Sequence, residues 1–340
     1  MALSSPGVGS AGVEGTARAD SRGRGDAGAV RVETASTPVA SAAAPRQRRP
    51  ARVAGPWTRR ILLLNVVAQV GIVLTGGLVR LTGSGLGCPT WPQCVPGSYT
   101  PVVHQAQGFH KYIEFGNRTL TSVVSITALL ALVAAWRLGR RRLRLVAVLP
   151  LLGVALQAAI GGVTVLTGLN PATVALHFLV SMLLVAVSVL LLLRAQEGDA
   201  RPRPVVPAPA RHLAAVLAAV GAVVLVLGTV VTGSGPHSGD ADTPARFPLD
   251  PRTVSWLHAD LVLLFLGLLA GLLVALALVK APAVVQRRAR WVLGVALAQG
   301  LVGYVQYFTG LPEMLVLVHM LGASLLVVTL TALLVSLRRR

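Results

Sequence analysis

From residue 61 onward the chain alternates long runs almost free of polar side chains with short segments that collect arginine, proline and glycine. The apolar runs are 61–79, 118–136, 145–166, 172–193, 213–232, 256–279, 291–309 and 314–336. Each is near the roughly 20 residues a helix needs to cross the hydrocarbon core of a bilayer. Lipid offers no partners for open backbone groups, so these runs are expected to be helices and not strands. The pattern predicts an all-α membrane protein of eight transmembrane helices. Residues 1–55 have no apolar period and are rich in Ala, Gly, Ser, Pro and Arg, which predicts a disordered basic arm. That arm has no apolar segment before a small-residue cleavage site, so it does not read as a secretory signal.

Composition agrees, with 54% hydrophobic and only 13% charged residues in 340. The net charge of +19 raises the question of nucleic acid, and the positions of the arginines answer it. Arg59 and Arg60 precede the first run. Arg137, Arg140, Arg141, Arg142 and Arg144 join the second to the third, and Arg194, Arg201, Arg203 and Arg211 the fourth to the fifth. Lys280, Arg287, Arg288 and Arg290 join the sixth to the seventh, and Arg338, Arg339 and Arg340 follow the eighth. Basic residues thus occupy alternate connections. The positive-inside rule puts both termini in the cytoplasm and 81–117 and 233–255 outside. The charge reads as topology, and no nucleic-acid partner is expected.

The chain also repeats itself. Gln157, Thr167-Gly168-Leu169 and His177 recur as Gln299, Thr309-Gly310-Leu311 and His319, all at the offset 299 − 157 = 142. Leu81-Thr82-Gly83-Ser84-Gly85 is matched by Val231-Thr232-Gly233-Ser234-Gly235. The expected organisation is two four-helix halves, 60–194 and 211–337. Because each half has an even number of spans, they are parallel repeats about a pseudo-two-fold axis along the membrane normal.

Histidine within a span is costly and usually functional. His177 and His319 sit about six residues into the fourth and eighth runs, and His258 opens the sixth. The repeat places a counterpart of His258 near residue 116, where the chain reads Glu114-Phe115-Gly116-Asn117-Arg118. The second half therefore has two histidines at similar depth, which suits a bis-histidine haem site. The first half has His177 with Asn117 and Glu114 opposite, the composition of a reaction site. A hydrogen bond between helices is the competing account of each histidine. For Glu114 it is a helical ion pair with Arg118 four residues on, against a role as proton acceptor or charge stabiliser beside a substrate.

His104 and His110 read as ordinary loop residues. The His110–Glu114 spacing is a weak metal signal. Gln157 and Gln299 are expected to bridge helices. Gly83-Ser84-Gly85 follows no strand and is no nucleotide loop. Cys88 and Cys94 are the only cysteines. They form no Cys-x-x-Cys, so covalent haem attachment is not indicated. In an oxidising compartment they would form a disulfide, and otherwise two free thiols.

The string from Gly76 through Arg80-Leu81-Thr82-Gly83-Ser84-Gly85-Leu86-Gly87-Cys88-Pro89-Thr90-Trp91-Pro92-Gln93-Cys94 resembles the signature of the haem A synthase family, across about residues 60–337. The resemblance implies oxidation of the C8 methyl of haem O to the formyl group of haem A, for terminal oxidase assembly. It implies a haem b cofactor ligated by His258 and His319, and haem O as substrate near His177, Asn117 and Arg118. It assigns Glu114 the role of essential carboxylate and Cys88–Cys94 a redox or structural role. It further implies a multi-pass protein of a bacterial plasma membrane, with haem O synthase and oxidase-assembly proteins as partners. Small-residue helix faces allow self-association. Many family members have histidine where this chain has Asn117, which leaves the second ligand of the substrate iron open. The competing functional readings are a b-type cytochrome that only transfers electrons and a transporter with parallel repeats.

Overall fold

The computed structural model describes residues 53–340 apart from 199, 241 and 243, so nearly all of the expected arm lies outside the described residues. Eight helices make up the described fold: α1 (Pro56–Leu81), α2 (His110–Arg137), α3 (Arg141–Leu166), α4 (Pro171–Ala195), α5 (Ala208–Ser234), α6 (Pro251–Leu278), α7 (Ala283–Phe308) and α8 (Glu313–Ser336). All eight are long and apolar enough to span a membrane. Two short strands, β1 (Arg203–Pro204) and β2 (Arg338–Arg339), pair at one end.

The helices are longer than the apolar runs that announce them. Pro opens α1, α4 and α6, where its missing N–H costs nothing. Asn170 caps α4 through the Ala172 N–H at 2.9 Å, and Asp250 caps α6 through the Thr253 N–H at 2.8 Å. The connections α3–α4 and α7–α8 turn in the same way. Gly168 and Leu169 have φ of 60° and 58°, and Gly310 and Leu311 have 80° and 61°. The Leu169 N–H reaches the Thr164 carbonyl, and the Leu311 N–H that of Gln306. These six-residue closures stop each helix abruptly and reverse the chain.

Within the first four helices, α1 and α3 each pack against both α2 and α4. That leaves α2 and α4 on a diagonal. Among the last four, α5 packs on α6 and α7 on both α6 and α8, so α6 and α8 lie across from each other. The two groups meet where α4 touches α5 and α8, and α1 touches α8. Small residues keep the packing close: Ala131, Ala135, Ala147 and Ala195 surround Leu62 and Leu191 in the first group. Asn65, fully buried, donates from Nδ2 to the Ser188 hydroxyl at 3.0 Å and ties α1 to α4. Where helices meet lipid instead of each other, leucine and valine stay exposed, as on α6 at Leu263 and Leu264.

At the end carrying the cysteine loop, the connections of the two groups interlock. The Gly85 N–H donates to the Gly239 carbonyl at 2.9 Å, and Arg80 Nη2 to that of Thr232 at 3.1 Å. His237 Nε2 lies 2.9 Å from the Leu311 carbonyl. Gly85 has no room for a side chain, since a Cβ there would lie 2.7 Å from Leu169 Cδ1.

Candidate functional site

The chemistry-bearing side chains gather at the cysteine-loop end. His177 follows the first residue of α4 by 177 − 171 = 6 positions, and His319 that of α8 by 319 − 313 = 6. His258 follows the start of α6 by 258 − 251 = 7, and Asn117 that of α2 by 117 − 110 = 7. At 1.5 Å per residue all four lie about 9–11 Å along their helices. The expectation that His258 opens its span is corrected here, because Asp250 starts the helix two turns earlier. Glu114 lies in the second turn of α2. This helix begins eight residues before its apolar run because its polar first turns bond to the loop above them.

Each histidine rests on a glycine of the preceding helix. A Cβ on Gly161 would lie 3.3 Å from His177 Cε1, one on Gly228 3.3 Å from His258 Cε1, and one on Gly303 3.5 Å from His319 Cε1. In the first group Gly76 of α1 faces Asn117, at 4.0 Å from its Nδ2. Asn117 thus occupies the place that His258 has in the second group. These glycines were not picked out from the sequence, although Gly161 and Gly303 obey the 142-residue offset that relates His177 to His319.

The backbone at two of these histidines is braced alike. Gln157 Nε2 donates to the His177 carbonyl at 2.8 Å, and Gln299 Nε2 to the His319 carbonyl at 2.9 Å. Gln157 also bonds to the Ser181 hydroxyl. The glutamines therefore bridge helices as expected. The imidazoles do not: Nδ1 of His177, of His258 and of His319 is buried with no hydrogen-bond partner. His258 has the Val224 carbonyl nearby, without acceptable hydrogen-bond geometry at Nδ1. The account of these histidines as hydrogen bonds between helices finds no such bond among the described residues. An unmet buried polar atom costs about 1–3 kcal/mol, and three at equivalent places point to a role other than packing.

The Nδ1 edge faces the glycine, whereas Nε2 is not among the buried unpartnered atoms. His258 and His319 are near enough to act on one another's charge. A porphyrin carries its own equatorial nitrogens and needs only axial groups from the protein. The residues present fit haem: two imidazoles on diagonal helices, each seated on a glycine. No group of three or more His, Cys, Asp or Glu that could hold a bare metal ion occurs among the described residues.

Above the first group, the cysteine loop is mounted on α2. Cys88 and Cys94 form a disulfide and are fully buried. Glu114, 5% exposed, accepts at Oε2 from the Cys88 N–H at 2.6 Å. Its Oε1 accepts from Arg118 Nε at 3.0 Å and Nη2 at 2.5 Å. Arg118 in turn donates to the carbonyls of Cys88 at 2.7 Å, Thr90 at 3.0 Å and Gln93 at 3.3 Å. Lys111, also missed in the sequence, donates from Nζ to the Val102 and Val103 carbonyls at 2.6 and 2.9 Å. Trp91 of the loop lies on Gly162 of α3, where a Cβ would come within 2.5 Å of its ring.

The ion pair with Arg118 is therefore present, and it does more than brace one helix. His110 Nδ1 lies 2.8 Å from the Ser84 hydroxyl. Replacing Arg118 by alanine would strand Glu114 without its cation, at a cost of about 3–5 kcal/mol for a buried pair. The expected result is a lower Tm and faster proteolysis within 88–109. An unchanged Tm would show that the loop is held by other contacts.

Residues 59–331 match the family described as cytochrome oxidase assembly protein (COX15-CtaA). Over 144 residues the chain is 40% identical to a heme A synthase of Lysinibacillus sphaericus, covering 39% of this chain and 44% of that protein. A heme A synthase of Listeria welshimeri is 34% identical over 140 residues, 40% of this chain and 45% of that protein. One from Bacillus licheniformis is 30% identical over 144 residues, covering 42% and 46%. Each match spans less than half the length of the relative.

Proposed function

The chain belongs to the cytochrome oxidase assembly protein (COX15-CtaA) family, and on that footing we propose that it is a haem A synthase, oxidising the C8 methyl of haem O to a formyl group. The observation that carries the reading is the set of glycine-seated imidazoles, His177, His258 and His319, whose Nδ1 atoms are buried without a partner. His258 and His319 would hold haem b. Bound haem b supplies one-electron transfer. Gly228 and Gly303 set how closely each ring approaches its neighbouring helix, and Gln299 fixes the backbone from which His319 projects.

The first group takes haem O, with His177 as the ligand to its iron. Glu114 lies three residues before Asn117 and so shares its helix face. Its oxygens are fixed in direction by Arg118 and the Cys88 N–H. A carboxylate held in that way stabilises positive charge that develops at the methyl carbon, with no reorganisation needed during the reaction. The disulfide loop covers this end of the group and limits water there. The reading includes a bacterial plasma membrane with both termini in the cytoplasm and the cysteine loop outside. The two groups are related by a pseudo-two-fold axis along the membrane normal. Haem O synthase would supply the substrate and the terminal oxidase assembly would receive the product.

The deciding experiment is co-expression with a haem O synthase, followed by extraction and chromatography of the haems. Haem A is the expected product. Haem O alone, with bound haem b present, would leave the b-type cytochrome reading in its place. Position 117 offers a separate check. An amide is a poor iron ligand beside imidazole. Asn117→His should therefore convert the haem O complex from one histidine ligand to a low-spin bis-histidine form, read by electron paramagnetic resonance. An unchanged spectrum would remove residue 117 from the surroundings of the iron.

A further inference from the structure

At the end of the bundle opposite the cysteine loop, β1 and β2 form an antiparallel ribbon. Arg203 pairs with Arg339 and Pro204 with Arg338, and the Val205 N–H donates to the Leu337 carbonyl at 3.0 Å. The ribbon joins the connection after α4 to the residues after α8. Ala200, Arg201, Arg203, Val205, Arg339 and Arg340 line an open groove of about 590 Å³ beside it. Like charges directly opposite on paired strands are destabilising, yet the register sets Arg203 against Arg339.

Glu197 Oε2 is 3.8 Å from Arg194 Nε and 3.6 Å from Arg340 Nε, distances of ion pairs and not of hydrogen bonds. Arg194 Nε, Arg340 Nε and Arg338 Nη2 are buried with no hydrogen-bond partner. Arg140 contributes in another way, donating to the carbonyls of Arg194 at 2.9 Å, Glu197 at 2.6 Å and Gly198 at 3.0 Å. It thereby fixes the connection on which Arg201 and Arg203 are carried. The sequence of this connection adds Asp199. Arg194, Arg201, Arg203, Arg338, Arg339 and Arg340 outnumber the side-chain carboxylates of Glu197 and Asp199.

We propose that this groove binds a phosphate-bearing anion between Arg203 and Arg339, the headgroup of an anionic phospholipid being the ligand its position favours. Guanidinium groups offer phosphate oxygens paired donors in a fixed fork. A bound phosphate relieves the repulsion across the ribbon. The groove lies at the ends of α4 and α8, the level at which lipid headgroups meet spanning helices, and basic pockets between such helices bind anionic headgroups. Alternate-loop arginines already set topology. What distinguishes this set is a cavity and an enforced like-charge register.

The test is native mass spectrometry of the delipidated full chain with phosphatidylglycerol, phosphatidylcholine or inorganic phosphate added. A one-to-one phosphatidylglycerol complex is expected, with phosphatidylcholine far weaker. Arg203→Gln and Arg339→Gln should each weaken it about fivefold. Arg137→Gln and Arg287→Gln, at the same end but outside the groove, should leave it unchanged. Without lipid, Arg203→Gln should not lower Tm, because it removes a repulsion. If inorganic phosphate binds with the same dependence on Arg203 and Arg339 and phosphatidylglycerol does not, the site stands with a soluble phosphate as its ligand. Loss of binding equal in the control variants, or no binding of either anion, overturns the proposal. None of these outcomes depends on the haem reaction.

Discussion

His319→Ala should abolish the low-spin haem b spectrum of the purified protein and, with it, formation of haem A. His258→Ala should do the same. Changing residues that merely support a metal-bound histidine typically costs 10–100-fold in affinity, so loss of the ligand itself should exceed about 100-fold. Both imidazoles serve one iron in this reading, so the double variant should be no worse than either single one. The same substitution separates ligation from helix bridging. Among the described residues Nδ1 of His319 and of His258 has no hydrogen-bond partner, so alanine removes an unmet polar atom there. The Tm of haem-free protein should therefore hold to within what about 1 kcal/mol would move. A large fall in Tm without haem, or a normal low-spin spectrum in both variants, would mean that these histidines serve packing and not iron.

Glu114→Ala should keep haem b and stop turnover at haem O, with the product reduced by about 100-fold or more. The structure complicates the reading, because Glu114 also carries the disulfide loop through the Cys88 N–H and Arg118. Arg118→Ala is the needed companion, since it breaks the mount and leaves the carboxylate. If Glu114 acts on the substrate, its variant should lose far more product than that of Arg118 at matched loop protection from proteolysis. Equal losses would mean that the carboxylate works through the loop alone. Product at the level of the unaltered protein would remove Glu114 from the reaction.

The eight helices were legible because spans are read from length and apolarity, and lipid enforces both. Their ends were not. α2 begins at His110, ahead of the apolar run at 118, because Lys111 and Arg118 find partners in the loop carbonyls of residues 88–103 and Glu114 in the Cys88 N–H. α7 begins at Ala283, ahead of 291, and carries Arg287, Arg288 and Arg290 in its first turns; Arg288 reaches the Ala332 carbonyl of α8 at 2.7 Å. Long basic side chains keep their stems on the helix while their heads reach polar ground. A hydropathy window sees only the charge.

The candidate site was legible as a set of residue types at one offset. That Asn117 stands where His258 stands was visible to within one position, and the glycine contacts of the two residues now align them. The hold of Glu114 on the disulfide loop was not legible. Its partners are up to 114 − 88 = 26 residues away, in a loop with no periodicity to predict from.

The bond from the Gly85 N–H to the Gly239 carbonyl also bears on how the chain is made. These residues are 239 − 85 = 154 apart, so at 5–20 residues per second the acceptor leaves the ribosome roughly 8–30 s after the donor. For that interval the first four helices can be inserted and packed while the loop over the disulfide still lacks one of its anchors. Final closure of the cysteine-loop end belongs to the last stage of biosynthesis, when the second group of helices arrives and brings the Gly239 carbonyl to the Gly85 N–H.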